Sequence, residues 1–192
     1  MRELDIDLRP GDEPIALAAA FYARPPLVVA RALLGQLLVH DVGGARRVGR
    51  IVETEAYVGP RDLACHSAKG RTPRTEVMFG PPGRAYVYLI YGMHWCLNVV
   101  TGAGSAVLIR ALEPVAGLAD DARTDGPGRL TRAMAIDRAH NARSLLEPPL
   151  WIAFGARRSP IARGPRIGID YAGAWAAKPY RFWVRDSEWV SR

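Results

Sequence analysis

RAYVYLIYGMHWCLNVVTGAGSAVLIRALEP, residues 84–114, decides how this chain folds. Aromatic and β-branched residues crowd into RAYVYLIYG, HWCLNVVTG and SAVLIRALEP, and the breaks between them are only Gly92-Met93 and Gly102-Ala103-Gly104. Side chains of these types fit a pleated, half-buried surface, and Gly-containing breaks this short fit hairpins. Strands joined by tight turns must run antiparallel. The stretch therefore predicts a three-strand meander whose first turn carries Tyr91 at its tip.

The signal extends in both directions. Upstream, QLLVHDV and RRVGRIVETEAYVG flank Gly43-Gly44 and predict a second hairpin. Before it, PIALAAAFYARPPLVVARALLG predicts two short helices parted at Arg24-Pro25, with Gly35 closing the second. Residues 59–83 are rich in Gly, Pro and Arg without a sustained period, and a loop of this length in a compact domain is usually functional or disordered. Downstream, VAGLADDAR and GRLTRAMAI predict helices. Trp151–Phe154, Arg166–Ile169 and Tyr180–Val184 predict short strands. The fold class is α+β: a single compact domain over residues 1–192, with a curved, mainly antiparallel sheet surrounded by helices.

Composition narrows the partner. Of 192 residues, 49% are hydrophobic and 23% charged, the balance of a globular domain. The net charge of +7 favours a polyanion, nucleic acid before an anionic membrane. Only Lys69 and Lys178 among the 26 basic residues are lysines. Arginine's planar fork suits bidentate phosphate contacts, although part of the excess reads as coding bias. MRELDIDLRPGDEP lacks the charge-then-apolar pattern of a signal peptide, and no apolar run is long enough to span a bilayer. These features predict a cytoplasmic protein without a membrane segment.

In IVETEAYVG a strand period puts Glu53, Glu55 and Tyr57 on one face. If that face lines a cleft, burial and like charge prepare a carboxyl group for acid–base work. If it faces solvent, the acids pair with Arg46, Arg47 or Arg50. Arg110, inside an apolar strand, needs an anionic partner, and Glu53 or Glu55 across the sheet would serve. Asn98, in similar surroundings, either pairs with backbone or faces a polar ligand. His66 sits in the irregular loop as a pocket residue or a solvated one. Cys65-His66 and His94-Trp95-Cys96 raise the question of zinc, but adjacent ligands fit one tetrahedron poorly, and nothing marks either thiol as activated. Gly126-Pro127-Gly128 opens a helix where backbone N–H groups could hold a phosphate or form a plain tight turn.

Together, RIVETEAYVGPRDLACHS, TPRTEVMFGPPGRAYVYLIYGMHWCLNVV, VLIRALEP, DGPGRLTRAMAI and RIGIDYAGAWAAKPYRFWVRDSEWVS resemble the alkyladenine (3-methyladenine) DNA glycosylase family, from about Leu27 to Trp189. The resemblance implies a monomeric enzyme that removes alkylated or deaminated purines from double-stranded DNA by hydrolysis, with no metal or cofactor. It implies that Glu55 is the general base, with Arg110 and the Ile167 carbonyl holding the water. It assigns Tyr57, His66 and Tyr88 to the walls of the base pocket and Asn98 to screening out normal guanine. Tyr91, with Met93 beside it, would fill the gap left in the duplex. Arg71, Arg74 and Gly126 would contact the DNA backbone, the hairpin projecting toward DNA. In this sequence the loop after His66, HSAKGRTPR, is about one residue shorter than the family form. His94 and Trp95 also depart from the family's residues.

Overall fold

The computed structural model describes residues 13–156 and 160–191. The amino-terminal stretch on which the targeting expectation rests lies largely outside them. Two short helices, α1 (Ala19–Tyr22) and α2 (Pro26–Ala32), lead into β1 (Leu37–Val42) and β2 (Ala45–Tyr57). The meander follows as β3 (Ala85–Ile90), β4 (His94–Gly102) and β5 (Ser105–Ala116). Then come α3 (Pro127–Ala133), β6 (Leu150–Ala153), β7 (Ile161–Gly164) and β8 (Arg181–Val184). The sheet runs β3-β4-β5-β2-β1-β6, with β8 pairing both β2 and β7, and every pairing is antiparallel. This is the α+β domain and the pair of hairpins that the sequence predicts. No helix among the described residues is long and apolar enough to cross a membrane.

The helices gather on one face of the sheet. Tyr22 of α1, Val29 and Ala30 of α2 and Leu130 of α3 share one buried cluster with Leu38, Ile51, Ala56, Leu97 and Ile109 from the strands. The opposite face divides in two. Leu37, Val39, Val48 and Trp151 form a small cluster at one end. At the other, the loop over residues 58–83 folds across the sheet and buries Cys65, Met78, Tyr86, Val100 and Ala106, with Tyr57 and Tyr88 packed against them. Two 3₁₀ turns, His66–Lys69 and Glu76–Phe79, give that loop its local order.

β2 changes phase in its middle. Ile51 and Ala56 both reach the main core, although an unbroken alternation would send them to opposite faces. The register against β5 slips on either side of Glu53, so Val52 and Arg110 drop out of the ladder. Bulges of this kind commonly re-aim side chains beside active sites. Here the slip lets β2 feed one core along its length while Glu53, Glu55 and Tyr57 project from the other side.

Two expectations are corrected. VAGLADDAR is not helical: β5 continues to Ala116, where it pairs with Val48, and an irregular segment follows. Gly117 enforces the break, since its φ is +66° and a Cβ there would lie 1.9 Å from the Arg46 carbonyl oxygen. Arg166–Ile169 is not a strand either; β7 lies earlier, at Ile161–Gly164. Gly168 has φ +72°, and the Ile167 amide is spent on a side chain rather than a ladder.

Candidate active site

Glu53 and Glu55 are wholly buried, which excludes a solvated polar face. None of the three arginines considered as partners reaches them. Arg46 pairs with Asp41 and Glu13, Arg47 donates to the Ala133 carbonyl, and Arg50 pairs with Glu113. Arg110 is the cation that both acids share. Its Nε lies 3.2 Å from Glu53 Oε1 and its Nη1 3.3 Å from Glu55 Oε1.

The two acids then diverge. Glu53 is saturated: it also accepts from Arg181 Nη1 at 3.2 Å, from the Ser191 N–H at 2.8 Å and from the Ser191 hydroxyl at 2.9 Å. Ser191 Oγ in turn accepts from Arg110 Nη2 at 3.2 Å. Glu55 accepts from the Ile167 N–H at 2.8 Å and from the Tyr57 hydroxyl at 2.9 Å. Burial pushes the Glu55 carboxyl above its ordinary value, and Arg110, the Ile167 amide and Tyr57 pull it part of the way back. Burial, and then the Glu55 carboxylate, hold the Tyr57 phenol well above its usual range, so it stays a donor. Burial disfavours the Arg110 cation, but the two carboxylates more than offset this.

A cleft of about 1180 Å³ opens in front of this group. Tyr57, Arg110 and Ile167 line it and screen Glu55, and His66, Tyr86, Tyr88, Cys96 and Asn98 line it nearby. The His66 and Tyr88 rings meet edge to face at 4.6 Å, and His66 Nδ1 lies 2.9 Å from the Tyr86 hydroxyl. Burial, with Arg74 and Lys69 close by, lowers the His66 pKa to about 4. The imidazole is therefore neutral at neutral pH. Asn98, opposite Tyr86 in the ladder, donates Nδ2–H to the Tyr86 carbonyl at 3.1 Å, the backbone pairing considered for it, and also lines the cleft. Burial raises both thiols, Cys96 to about 11, which leaves each a protonated, buried side chain. Among the described residues no group of three or more His, Cys, Asp or Glu is placed to hold a metal ion.

The β3–β4 turn stands at the cleft mouth. Tyr91 lines the cleft with 79% of its surface exposed, and Met93 beside it is 70% exposed. Tyr91 holds φ +52°, a left-handed conformation unusual for an aromatic residue, and Gly92 follows at +68°. α3 supports this turn from below. Thr131 Oγ1 donates to the Trp95 carbonyl at 3.0 Å, and a Cβ on Gly128 would meet His94 at 2.8 Å. Gly126, at the entry to α3, also lines the cleft. Arg71 and Arg74 lie in the exposed part of the loop. Arg71 pairs with Glu76 at 3.0 Å, and the Arg74 guanidinium lies 5.4 Å from the Tyr88 ring centre.

The structure thus brings together Glu55, Arg110, Ile167, Tyr57, His66, Tyr88, Asn98, Tyr91 and Gly126, while Met93, Arg71 and Arg74 do not line the cleft. Sequence reasoning offered Glu53 as a partner for Arg110, as found, but missed Ser191, which closes the network around Arg110. It also missed Asp62 and Arg166, a buried pair behind Tyr57. Arg166 carried one signal, a charge just before an apolar residue in a stretch read as strand. Ser191 carried none.

The chain matches the model of the methylpurine-DNA glycosylase family over residues 20–188. Among curated proteins it is 66% identical over 181 residues to a protein of Myxococcus xanthus, covering 92% of this chain and 93% of that one. It is 58% identical over 181 residues to one of Anaeromyxobacter dehalogenans, covering 92% and 86%, and 53% identical over 181 residues to one of Legionella pneumophila, covering 92% and 98%. All three bear the name "Putative 3-methyladenine DNA glycosylase".

Proposed function

Since the chain belongs to the methylpurine-DNA glycosylase family, we propose that it draws a damaged purine nucleotide from duplex DNA into the cleft and hydrolyses its N-glycosidic bond. Glu55 deprotonates the attacking water, and an abasic site remains. The observation that carries this reading is the setting of Glu55. It is a buried carboxylate raised by desolvation, ion-paired at 3.3 Å and bonded at 2.8 and 2.9 Å by groups that line the cleft.

Glycosidic cleavage places positive charge on the sugar. A carboxylate on the far side stabilises that charge and takes the water's proton. A raised pKa makes the stronger base, provided the group stays ionised, and Arg110 supports the ionised form. Each carboxylate oxygen can accept more than one hydrogen bond, so Oε1 can bind a water admitted between Arg110 and Ile167. The Ile167 carbonyl would hold that water from the other side.

The remaining residues meet the cost of extruding a nucleotide, a few kcal/mol. Tyr57, Tyr88 and a neutral His66 offer the base a stack of rings, and Asn98 obstructs the amino group of normal guanine. Tyr91, with Met93, fills the space the nucleotide leaves. Arg71, Arg74 and the Gly126 backbone contact phosphates. The substrates are alkylated or deaminated purines such as 3-methyladenine, hypoxanthine and ethenoadenine, and the enzyme acts as a monomer in the bacterial cytoplasm. A lyase would need an amine at the sugar. Only Lys69 and Lys178 carry a side-chain amine, and the Lys178 Nζ lies 3.4 Å from the Trp175 ring centre, which favours water as the nucleophile.

The test is Glu55→Gln assayed on duplexes containing hypoxanthine, ethenoadenine or 3-methyladenine. Base release is expected to fall at least about a thousandfold, the scale of a lost general base with its charge stabilisation, while duplex binding persists. Unchanged release would defeat the assignment. Tight binding without release by the unaltered chain would make it a damaged-DNA-binding domain instead.

A further inference from the structure

Asp62 and Arg166 form a bidentate pair, Nη1 to Oδ2 at 2.6 Å and Nη2 to Oδ1 at 2.9 Å, with both side chains wholly buried. Neither lines the cleft, yet the pair reaches three of its parts. Asp62 accepts the N–H groups of Val58 and Ala64 at 3.2 and 3.1 Å, closing the loop that carries His66. Arg166 Nη1 also donates to the Ala56 carbonyl at 2.9 Å, and the next residue sends its amide to Glu55. The Arg166 guanidinium stands over the Tyr57 ring, 4.7 Å from its centre. Tyr57 lines the cleft whereas the Arg166 side chain is wholly buried and does not, so the guanidinium approaches the ring from the protein interior.

We propose that Arg166 is a specificity-determining residue: its guanidinium, placed behind Tyr57, biases the base pocket toward neutral damaged purines and against cationic ones. The inference rests on the reading of Tyr57 as a wall of the base pocket. An aromatic face attracts a cation through its negative quadrupole. A cation already behind the ring draws that density toward itself and repels a second positive charge across the ring. Asp62 offsets part of this effect, but its carboxylate sits at the edge of the guanidinium, in its plane, and it is the guanidinium carbon that stands over the Tyr57 ring. Tyr88, a second wall in that reading, has the Arg74 guanidinium 5.4 Å from its ring centre. A pocket so arranged stacks a neutral base without penalty and gives up part of the cation–π attraction that bare rings would offer an alkylated, charged one.

The experiment compares single-turnover release of hypoxanthine, which is neutral, and 7-methylguanine, which is cationic, from otherwise identical duplexes. The double variant Arg166→Gln/Asp62→Asn removes the cation without stranding a buried carboxylate, and Arg166→Lys keeps the charge. The double variant is expected to shift the release ratio toward 7-methylguanine by about three- to ten-fold. Arg166→Lys is expected to stay near the unaltered ratio. A purely structural clasp would slow both bases equally, so an unchanged ratio in a folded double variant overturns the proposal. An equal shift in Arg166→Lys also overturns it. If the unaltered chain releases neither base, the glycosylase reading fails and this one with it, a result distinct from an unchanged ratio.

Discussion

Glu53 and Glu55, two residues apart on β2, share the Arg110 guanidinium, and only Glu53 is tied down by Arg181 and Ser191 as well. The first acid therefore anchors the cation and leaves the second to face the cleft-lining groups. In the mechanism proposed above, this division of labour makes Glu53 a positioning residue.

Glu53→Gln removes the charge that compensates Arg110 and Arg181. Breaking a buried pair on one side costs about 3–5 kcal/mol, and the Arg181 pairing and the Ser191 contacts are weakened too. Urea denaturation is expected to show a loss on this scale. Base release is expected to fall even at temperatures where the variant stays folded, because Arg110 is no longer held against Glu55. A variant as stable and as active as the parent would mean that Glu55 and Ser191 suffice to hold Arg110.

The pH dependence follows from the direction of the Glu55 shift. A general base must be ionised, and burial raises this carboxyl above 4.5, so release is expected to decline on the acid side with a midpoint above that value. The Tyr57 hydroxyl stabilises the ionised form. Tyr57→Phe is therefore expected to move the acid limb to higher pH while leaving the pocket ring in place. A limb that stays put or moves down in a pH–rate profile would show that the Tyr57 hydrogen bond does not tune the base.

Tyr91 is exposed and packs against little, so Tyr91→Ala is expected to leave thermal stability within about 0.5 kcal/mol of the parent. Release should fall more on an intact duplex than on one already weakened by a mismatch, because the wedge is worth most where stacking must be broken. Equal losses on both substrates would remove Tyr91 from that role.

Arginines at the cleft rim should make binding salt-sensitive. Replacing one phosphate-contacting arginine is expected to reduce the slope of log affinity against log salt by about 0.9. Arg74→Ala is the sharper case, since Arg71 is partly neutralised by Glu76. A slope unchanged in Arg74→Ala would place Arg74 off the DNA path.

The meander and the β1–β2 hairpin were legible because alternation and Gly-containing turns act over a few residues, and the facing of Glu53, Glu55 and Tyr57 followed from the same period. The extension of β5 was hidden, because residues 115–123 look apolar-then-acidic in the manner of a helix. Only the closeness of Gly117 to the Arg46 carbonyl, a contact across the sheet, forbids one. The Asp62–Arg166 and Glu53–Ser191 contacts join residues 104 and 138 positions apart. Pairings so distant leave no periodic trace, and the chain must fold before they exist.

The slip in register at Glu53 also governs which length changes the chain can absorb. Deleting Val52 would leave Ile51 and Ala56 four residues apart, on one face of a regular strand, but it would shift one half of β2 by a residue against β5, where Ile51 pairs with Leu112 and Thr54 with Ile109. Either that half would slide along β5 and exchange its partners or the ladder beside Glu53 would open. A deletion of equal size among residues 68–74 meets no such constraint, because that arc lies over the sheet without pairing with it. Among descendants of this chain, changes in length should therefore accumulate in the loop and be purged from the middle of β2.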